Sequence, residues 1–301
     1  MDNFSKLPEE CISEILSLTS PADVSASSTI SKRFKSASDS DIAWNKFVPS
    51  DIDDIISKSS TPLPFELPPP SKKHLFLSLS DNPIALDAGK QMFYLDKCSG
   101  QKCVMIAPAE LAFFGTNVRD EYPISRPDPS ARFITCRFKE VAELILNFGV
   151  FDICFKMPNQ MLLSKETHYS CYLMYKEEDE YHSGDIEYSD STINALNDVP
   201  IIGHNKRVGK DGWEEIEIKS FFNNGANDDD EDIRASVGVG WDYEFMIIQG
   251  VEFRPRDVLR KDYSSCFPDL FTSILRKFKL GKFPPGMMDD LDELLNELHL
   301  D

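Results

Sequence analysis

The feature that most constrains the fold is a run of short amphipathic helices predicted between Leu7 and Pro49. Pro8 suits the first position of a helix, where its missing N–H costs no hydrogen bond. Ser20 to Asp23 then restarts a second helix, with Ser20 as its N-cap and Asp23 placed to reach back. Apolar side chains recur at helical spacing along the first helix, namely Leu7, Cys11, Ile12, Ile15, Leu16 and Leu18. We expect the ridge from Leu7 to Val24 to be left uncovered by its own chain.

The order of these residues resembles an F-box. Leu-Pro and Ile-Leu in the first helix are followed by Ser-Pro-Ala-Asp-Val, by a basic pair before Phe34, and by Asp41 to Pro49 with Trp44 and Phe47. The resemblance implies a bundle of about three helices that docks on the Skp-type adaptor of a cullin ubiquitin ligase. Carried over by position, the side chains implied to contact the adaptor are Leu7, Pro8, Ile12, Ile15, Leu16, Pro21 and Val24. The alternative is a helical cap that packs on the next domain.

Composition limits the compartment and the partners. A formal net charge of −19 argues against binding nucleic acid, which requires clustered Lys and Arg. No apolar run approaches the roughly 20 residues that span a bilayer, and the N-terminal segment MDNFSKLPEE lacks the apolar core of a signal peptide. Seven cysteines, an odd number, fit a reducing compartment. We therefore expect a cytoplasmic and/or nuclear protein that binds no nucleic acid and no membrane.

A length of 301 residues predicts about two domains, and the residue pattern places the boundaries. The stretch TPLPFELPPPS cannot be helix interior, so it predicts a semi-rigid spacer that leads into a short helix at 71–79. From Asn82 the pattern alternates, as in β-strands separated by turns. The predicted divisions are helical domain 1–50, linker and short helix 51–80, β domain 81–255 and acidic helical tail 256–301.

Within the β domain, alternating apolar residues predict many short strands with long polar loops, which indicates a sandwich or jelly roll. A helix-like turn is predicted at Glu140–Leu144. The strand candidates are Val150–Met157, Tyr169–Lys176, Trp213–Ile218, Ser236–Val239 and Phe245–Phe253. The expected fold class is multidomain α and β: a small helical bundle, then a mainly antiparallel, lectin-like β-sandwich, then a helical tail. The two predicted tail helices either pack on the protein's own surface or are offered to a partner groove.

A second resemblance covers residues 81–255. The segments LDKCSGQKC, RFKEVAEL, LSKETHYSCYLMYK, DGWEEIEIKSFFNNG and IIQGVEFRP resemble the phloem protein 2 family, also called the tobacco-lectin or Nictaba-like domain. The family implies a β-sandwich that recognises glycans. Tryptophans usual in the family are replaced here by Cys98 and Phe151, so fewer flat aromatic faces remain for sugar rings. The carried-over sugar-contacting residues are Phe114, Tyr122, Phe151 and Trp213.

The sequence contains no recognisable catalytic or metal site. Cys98 and Cys103 lack a second pair at zinc spacing, and the crowded carboxylates fall in predicted loops. We predict no enzyme activity, no cofactor and no metal. The favoured hypothesis is a ubiquitin-ligase adapter that binds the Skp-type adaptor, and through it a cullin, and presents an unknown target protein. The rival is a carbohydrate-binding lectin without a ligase role, and a receptor for glycosylated targets would combine the two.

Overall fold

The computed structural model describes residues 7–114, 124–127, 137–138, 140–178, 194–197, 199–200, 207–208, 212–225 and 232–256. Within these ranges the chain forms six α-helices followed by twelve β-strands. Tyr122 and the two predicted tail helices lie outside the described residues. No helix among the described residues is long and apolar enough to cross a membrane.

The N-terminal helices are short, and serine side chains define where three of them begin. Ser20 accepts a hydrogen bond from the Asp23 backbone N–H, while the Asp23 carboxylate accepts from the Ser20 N–H. This reciprocal capping box satisfies two N–H groups that the helix leaves unpaired. Ser31 and Ser40 cap the next two helices. The first four helices are α1 (Glu9–Ser17), α2 (Pro21–Ser27), α3 (Lys32–Asp39) and α4 (Asp41–Trp44).

The apolar stripe of α1 forms the interior of this helical bundle, because α1 packs on α3 and α4. Ile12 and Leu16 are 1% and 0% exposed, and Val24 of α2 is 0% exposed. The expectation of an uncovered ridge from Leu7 to Val24 is therefore wrong for most of its length. The helices are too short to bury this stripe individually, so they share one core.

The region predicted as linker and short helix, residues 51–80, contains two helices and is attached to the β domain. Residues Ile52–Ser57 form helix α5, whose Ile52, Ile55 and Ile56 are buried. Ser60 donates its backbone N–H to the Ala85 carbonyl over 2.7 Å, which attaches this segment to the β domain. Helix α6 (Lys72–Asp81) then packs against α4 and also against a strand of the β domain. The proline-rich stretch predicted as a spacer, residues 61–71, has no helix or strand, and the short helix predicted after it is α6.

The β domain is built from antiparallel strands, as the alternating pattern predicts. The strands are β1 (Ile84–Leu86), β2 (Gln91–Leu95), β3 (Lys102–Ile106), β4 (Ala112–Phe114), β5 (Ile124–Pro127), β6 (Glu140–Lys156), β7 (Thr167–Glu178), β8 (Asn194–Asn197), β9 (Val199–Pro200), β10 (Arg207–Val208), β11 (Glu214–Asn223) and β12 (Asp232–Pro255). The helix-like turn predicted at Glu140–Leu144 is wrong, since those residues continue the long strand β6. Pairing of residues 142–156 with β12 and of residues 140–143 with β5 outweighs the local helical pattern.

The longest strand, β12, belongs to two layers. Its first part pairs with β6 and β8, and its last part pairs with β7 and β3. The register of β12 shifts against β6 between Val239 and Tyr243 and against β7 between Ile248 and Gly250, and bulges of this kind bend a strand. The rings of Phe155 on β6 and Phe253 on β12 then meet edge to face, with centroids 6.1 Å apart. The layers thus enclose one apolar core between them.

This core is continuous with that of the helical bundle. Buried side chains extend without interruption from Ile12 and Leu16 in α1, through Phe76 in α6, to Phe93 and Phe253 in the β domain. A second, smaller apolar cluster lies on the other face of the main sheet and includes Met105, Met174 and Trp213. Helical and β regions therefore share one continuous apolar core.

Candidate functional site

The exposed edge of the bundle, defined here as Leu7, Pro8, Ile30 and Phe34, lies at the N-terminal ends of α1 and α3. Arg33 Nη1 donates to the Leu7 carbonyl oxygen over 3.2 Å, which holds the two ends side by side. Ser36 Oγ donates to Glu9 Oε1 over 2.6 Å and reinforces this contact. Ile30 lies in the turn before α3 and is 54% exposed, Pro8 is exposed, and Leu7 and Phe34 are half-buried. The edge thus presents apolar surface to the solvent.

The predicted adaptor-contacting residues divide into two groups in the structure. Leu7 and Pro8 lie on the exposed edge, whereas Ile12, Ile15, Leu16, Pro21 and Val24 are buried. Pro21 faces the β domain: a Cβ added to Gly100 would lie 3.4 Å from Pro21 Cγ and 3.3 Å from Phe47 Cβ. These buried side chains shape the bundle and do not present surface. Ile30 was missed because nothing in its local sequence marks it as exposed.

The four carried-over sugar-contacting residues do not form one described surface. Phe114 ends strand β4 and is 53% exposed. Phe151 lies in β6, opposite Val237 of β12, but its side chain lies outside the described residues, as does the whole of Tyr122. Trp213 is 1% exposed, with its indole N–H 3.2 Å from the Gln249 side-chain oxygen once that amide is oriented to accept it. The ring of Trp213 is therefore not an open stacking face.

A buried charged cluster crosses the outer face of the main sheet, centred on Glu252 of β12. This carboxylate is 0% exposed, accepts a hydrogen bond of 2.5 Å from the Tyr94 hydroxyl, and is paired with Arg137. Burial alone would raise the pKa of Glu252. The guanidinium groups of Arg137 and Arg254 outweigh that effect and hold its pKa below the ordinary value.

Arg254 extends this cluster across the neighbouring strands. Its Nη2 lies 2.5 Å from Glu215 Oε2, and its guanidinium carbon lies 4.1 Å from the centre of the Tyr172 ring. Arg137 stacks similarly over Tyr94 at 5.2 Å. The lowered pKa of Glu252 keeps this carboxylate ionised, and Arg254 links it to Glu215, so Glu252 is not a ready proton donor. The cluster is an ion-pair network that ties four strands together.

The described cysteines and acidic groups are the remaining candidates for chemistry. None of the cysteines Cys11, Cys98, Cys103, Cys154 and Cys171 is in a disulfide bond. Burial raises the pKa of the Cys103 and Cys171 thiols, which disfavours the reactive thiolate. Among the residues that the structure describes, no group of three or more His, Cys, Asp or Glu side chains is placed to hold a metal ion.

Comparisons with known proteins give two family matches. The F-box domain matches residues 4–46 and Phloem protein 2 matches residues 101–255. F-box protein PP2-B10 of Arabidopsis thaliana is 31% identical over 279 residues, covering 85% of this chain and 95% of the relative. F-box protein SKIP3 of the same plant is 32% identical over 295 residues, covering 87% and 92%.

A solved structure, that of TmCBM61 in complex with beta-1,4-galactotriose, is similar at a TM-score of 0.27 and 11% identity, covering 50% of this chain and 91% of that one. At that level the likeness carries no argument. The family matches, in contrast, agree with the helices and strands described above, and both sequence resemblances are confirmed. The chain belongs to the phloem protein 2 family and is an F-box protein of the PP2-B group.

Proposed function

We propose that this chain is the substrate-recognition subunit of a Skp-cullin-F-box ubiquitin ligase. Its F-box domain implies a Skp-type adaptor as partner. The observation that carries the proposal is the exposed edge, on which Pro8 and Ile30 face solvent beside the half-buried Leu7 and Phe34. An apolar patch of this kind marks an interaction site when it is contiguous. The adaptor docks on this edge and connects the chain to the cullin.

The chain itself performs no chemistry in this proposal. Its phloem protein 2 domain holds a target protein, in the cytoplasm or nucleus, while the F-box helices hold the ligase. Joining both binding surfaces in one chain turns the encounter between a target lysine and the charged ubiquitin enzyme into an effectively intramolecular event. The ion pair between Glu252 and Arg137, with the pKa of Glu252 lowered, fits a structural role within the sheet of a binding domain.

Docking of the adaptor is tested by titrating a Skp-type adaptor into the purified chain. The Pro8→Asp, Ile30→Asp double variant places two charges on the exposed edge and is expected to weaken binding by about a hundredfold, roughly tenfold for each substitution. Leu77→Asp is the matched control, since Leu77 is 36% exposed on α6, outside the F-box match. Unchanged affinity in the double variant, with a normal circular dichroism spectrum, would remove the proposed interface.

Aspartate at Ile15 or Leu16 does not test docking. Both side chains are buried, so a charge there would disrupt the bundle core before it affected any partner. Loss of adaptor binding in such a variant would report unfolding.

Carbohydrate binding is the second candidate, and the exposed ring of Phe114 favours it. A flat aromatic face in solvent can stack on the apolar face of a sugar ring. The test is binding of the purified chain to an array of glycans, with Phe114→Ala against Phe222→Ala, an exposed aromatic of similar size at 45% exposure. Loss of glycan binding in Phe114→Ala but not in Phe222→Ala supports a glycosylated target. If the wild type binds no glycan on the array, the β domain recognises the protein part of its target.

A further inference from the structure

Three aromatic rings join the bundle to the β domain. Trp44 of α4 and Phe47 lie with ring centroids 5.9 Å apart, and Phe76 of α6 lies 5.2 Å from Trp44 and 6.5 Å from Phe47. Trp44 is fixed from the other side by its indole N–H, which donates to the Ser38 carbonyl over 2.6 Å. Helix α6 in turn packs on strand β2. The apolar contact therefore continues from α4 through α6 to the β domain.

A buried ion pair crosses the same boundary. Lys102 of β3 extends its ammonium group to Asp51, immediately before α5, with Nζ 2.6 Å from Asp51 Oδ2. Nζ also donates to the Met161 carbonyl over 2.9 Å. The Lys102 side chain is 8% exposed, whereas that of Asp51 is 39% exposed. The lysine is thus a buried charge whose counter-ion comes from the helical side.

The Lys102 backbone is held as firmly as its side chain. The Ser164 hydroxyl accepts its N–H over 3.0 Å, and the Tyr169 hydroxyl donates to its carbonyl over 2.8 Å. Gly100, two residues earlier, has φ +74° and lies so close to Phe47 and Pro21 that an added Cβ would press on both. The β2–β3 turn is therefore fitted to the bundle surface.

From these contacts we propose that the F-box helices and the β domain form one rigid body, and that the Asp51–Lys102 pair is the positioning contact that sets their relative orientation. Resting on the ligase function proposed above, this orientation has a consequence. A target held by the β domain presents only those lysines that a fixed geometry brings to the ubiquitin enzyme. The contacts between the helices and the β domain then determine which target lysines are modified.

The charge of Lys102 makes this contact testable in a specific way. Removing one partner of a buried pair leaves an uncompensated charge that draws water into the boundary, whereas an apolar replacement of the buried charge is often neutral. Asp51→Ala is therefore expected to loosen the bundle from the β domain. Adding Lys102→Met to Asp51→Ala removes the stranded charge and is expected to restore the coupling.

Hydrogen exchange of the full-length chain measures the coupling directly. In the wild type, amides of α1 and α3 are expected to be protected to the same degree as those of β3 and β7. In Asp51→Ala the helical amides are expected to exchange at least about tenfold faster while the strands stay unchanged, with the wild-type pattern returning in the double variant. The matched control is Asp81→Ala, which breaks the exposed Asp81–Lys97 pair and is expected to change nothing.

Equal exchange in Asp51→Ala and wild type would overturn the proposal, as would a double variant no better than Asp51→Ala. A second measurement uses the reconstituted ligase, in which the chain's own lysines serve as ubiquitin acceptors and are mapped by mass spectrometry. The wild type is expected to be modified at a restricted set, Asp51→Ala at additional lysines with unchanged adaptor affinity, and the double variant at the restricted set again. The same map in all three would also overturn it. A wild-type chain that binds no adaptor refutes the ligase function and leaves the exchange result to judge the rigid body.

Discussion

The helical bundle and the β domain keep their polar groups satisfied in different ways. In the bundle, buried Ser17 and Ser27 donate to carbonyls three residues back, over 2.7 Å in each case. On the outer face of the β domain, Tyr94 and Glu252 bond across 158 positions of the chain. The bundle thus combines local serine contacts with hydrogen bonds between neighbouring short helices, whereas the β domain relies on charges brought together by strand register.

The comparison explains why the two regions depend on each other unequally. The β domain has a core between its layers and a second cluster on its outer face. The bundle helices have four to nine residues, too few for stability without tertiary packing. The bundle completes its core with α6, which rests on the β domain. We therefore expect damage at the boundary to unfold the helices first.

The largest expected effect is in the β domain. Glu252→Ala leaves Arg137 and Arg254 partly buried without their shared carboxylate, which should lower the free energy of unfolding by about 3–5 kcal/mol. Urea denaturation followed by circular dichroism measures it. Glu110→Ala, which breaks the exposed Lys90–Glu110 pair, should cost at most about 1 kcal/mol. Similar small losses in both variants would contradict a structural role for the buried cluster.

The next effect tests the shared core. Phe76→Ala removes a ring that is 1% exposed between bundle and β domain and should cost about 3–4 kcal/mol. Leu77→Ala, on the exposed side of the same helix, should change stability by less than about 0.5 kcal/mol. Hydrogen exchange should show the loss mainly in α1 to α4. If the strands of Phe76→Ala lose as much protection as the helices, the bundle does not depend on the β domain more than the β domain depends on the bundle.

Acid should affect the two regions differently. The pKa of Glu252 is lowered in the folded state, so its contribution to stability is complete above the unfolded value of about 4.3 and is lost as the pH falls through the folded value. The slope from this one group is at most about 1.4 kcal/mol per pH unit. Urea midpoints should fall more steeply below pH 5 in the wild type than in Glu252→Gln. If the urea midpoints of the two proteins fall in parallel with pH, groups other than Glu252 cause the acid sensitivity.

The smallest expected effect concerns a local contact of the bundle, the capping box of α2. Ser20→Ala removes the capping box of α2 and should cost about 1 kcal/mol, within the usual range for N-caps. Ser28→Ala removes an exposed hydroxyl in the same region and should be nearly neutral. A difference in thermal midpoint between the two variants measures the cap. Equal midpoints would mean that the capping box does not stabilise α2.

Local patterns predicted much of this fold because local chemistry determines it. The caps at Ser20 and Ser31 follow from residue type and spacing, and the strands at Tyr169–Lys176 and Phe245–Phe253 follow from alternation. The burial of Ile12 and Leu16 inside the bundle could not be predicted from residue type and spacing. An apolar stripe looks alike whether a partner or the chain's own helices cover it.

Long-range features were likewise not predictable. The Asp51–Lys102 and Tyr94–Glu252 contacts join residues that no local spacing relates, and Glu140–Leu144 became strand through pairing with β12. Of the candidate site residues, Leu7 and Pro8 lie on the exposed edge, while Trp213 is buried. Residue type alone does not distinguish a surface tryptophan from one in a core.

The most direct test of this account is the structure of the chain bound to a Skp-type adaptor. We predict that the adaptor covers Leu7, Pro8 and Ile30, that Ile12 and Leu16 remain inside the bundle, and that Lys102 still contacts Asp51. A complex in which the adaptor binds the opened α1 stripe, with α6 detached from the helices, would contradict it.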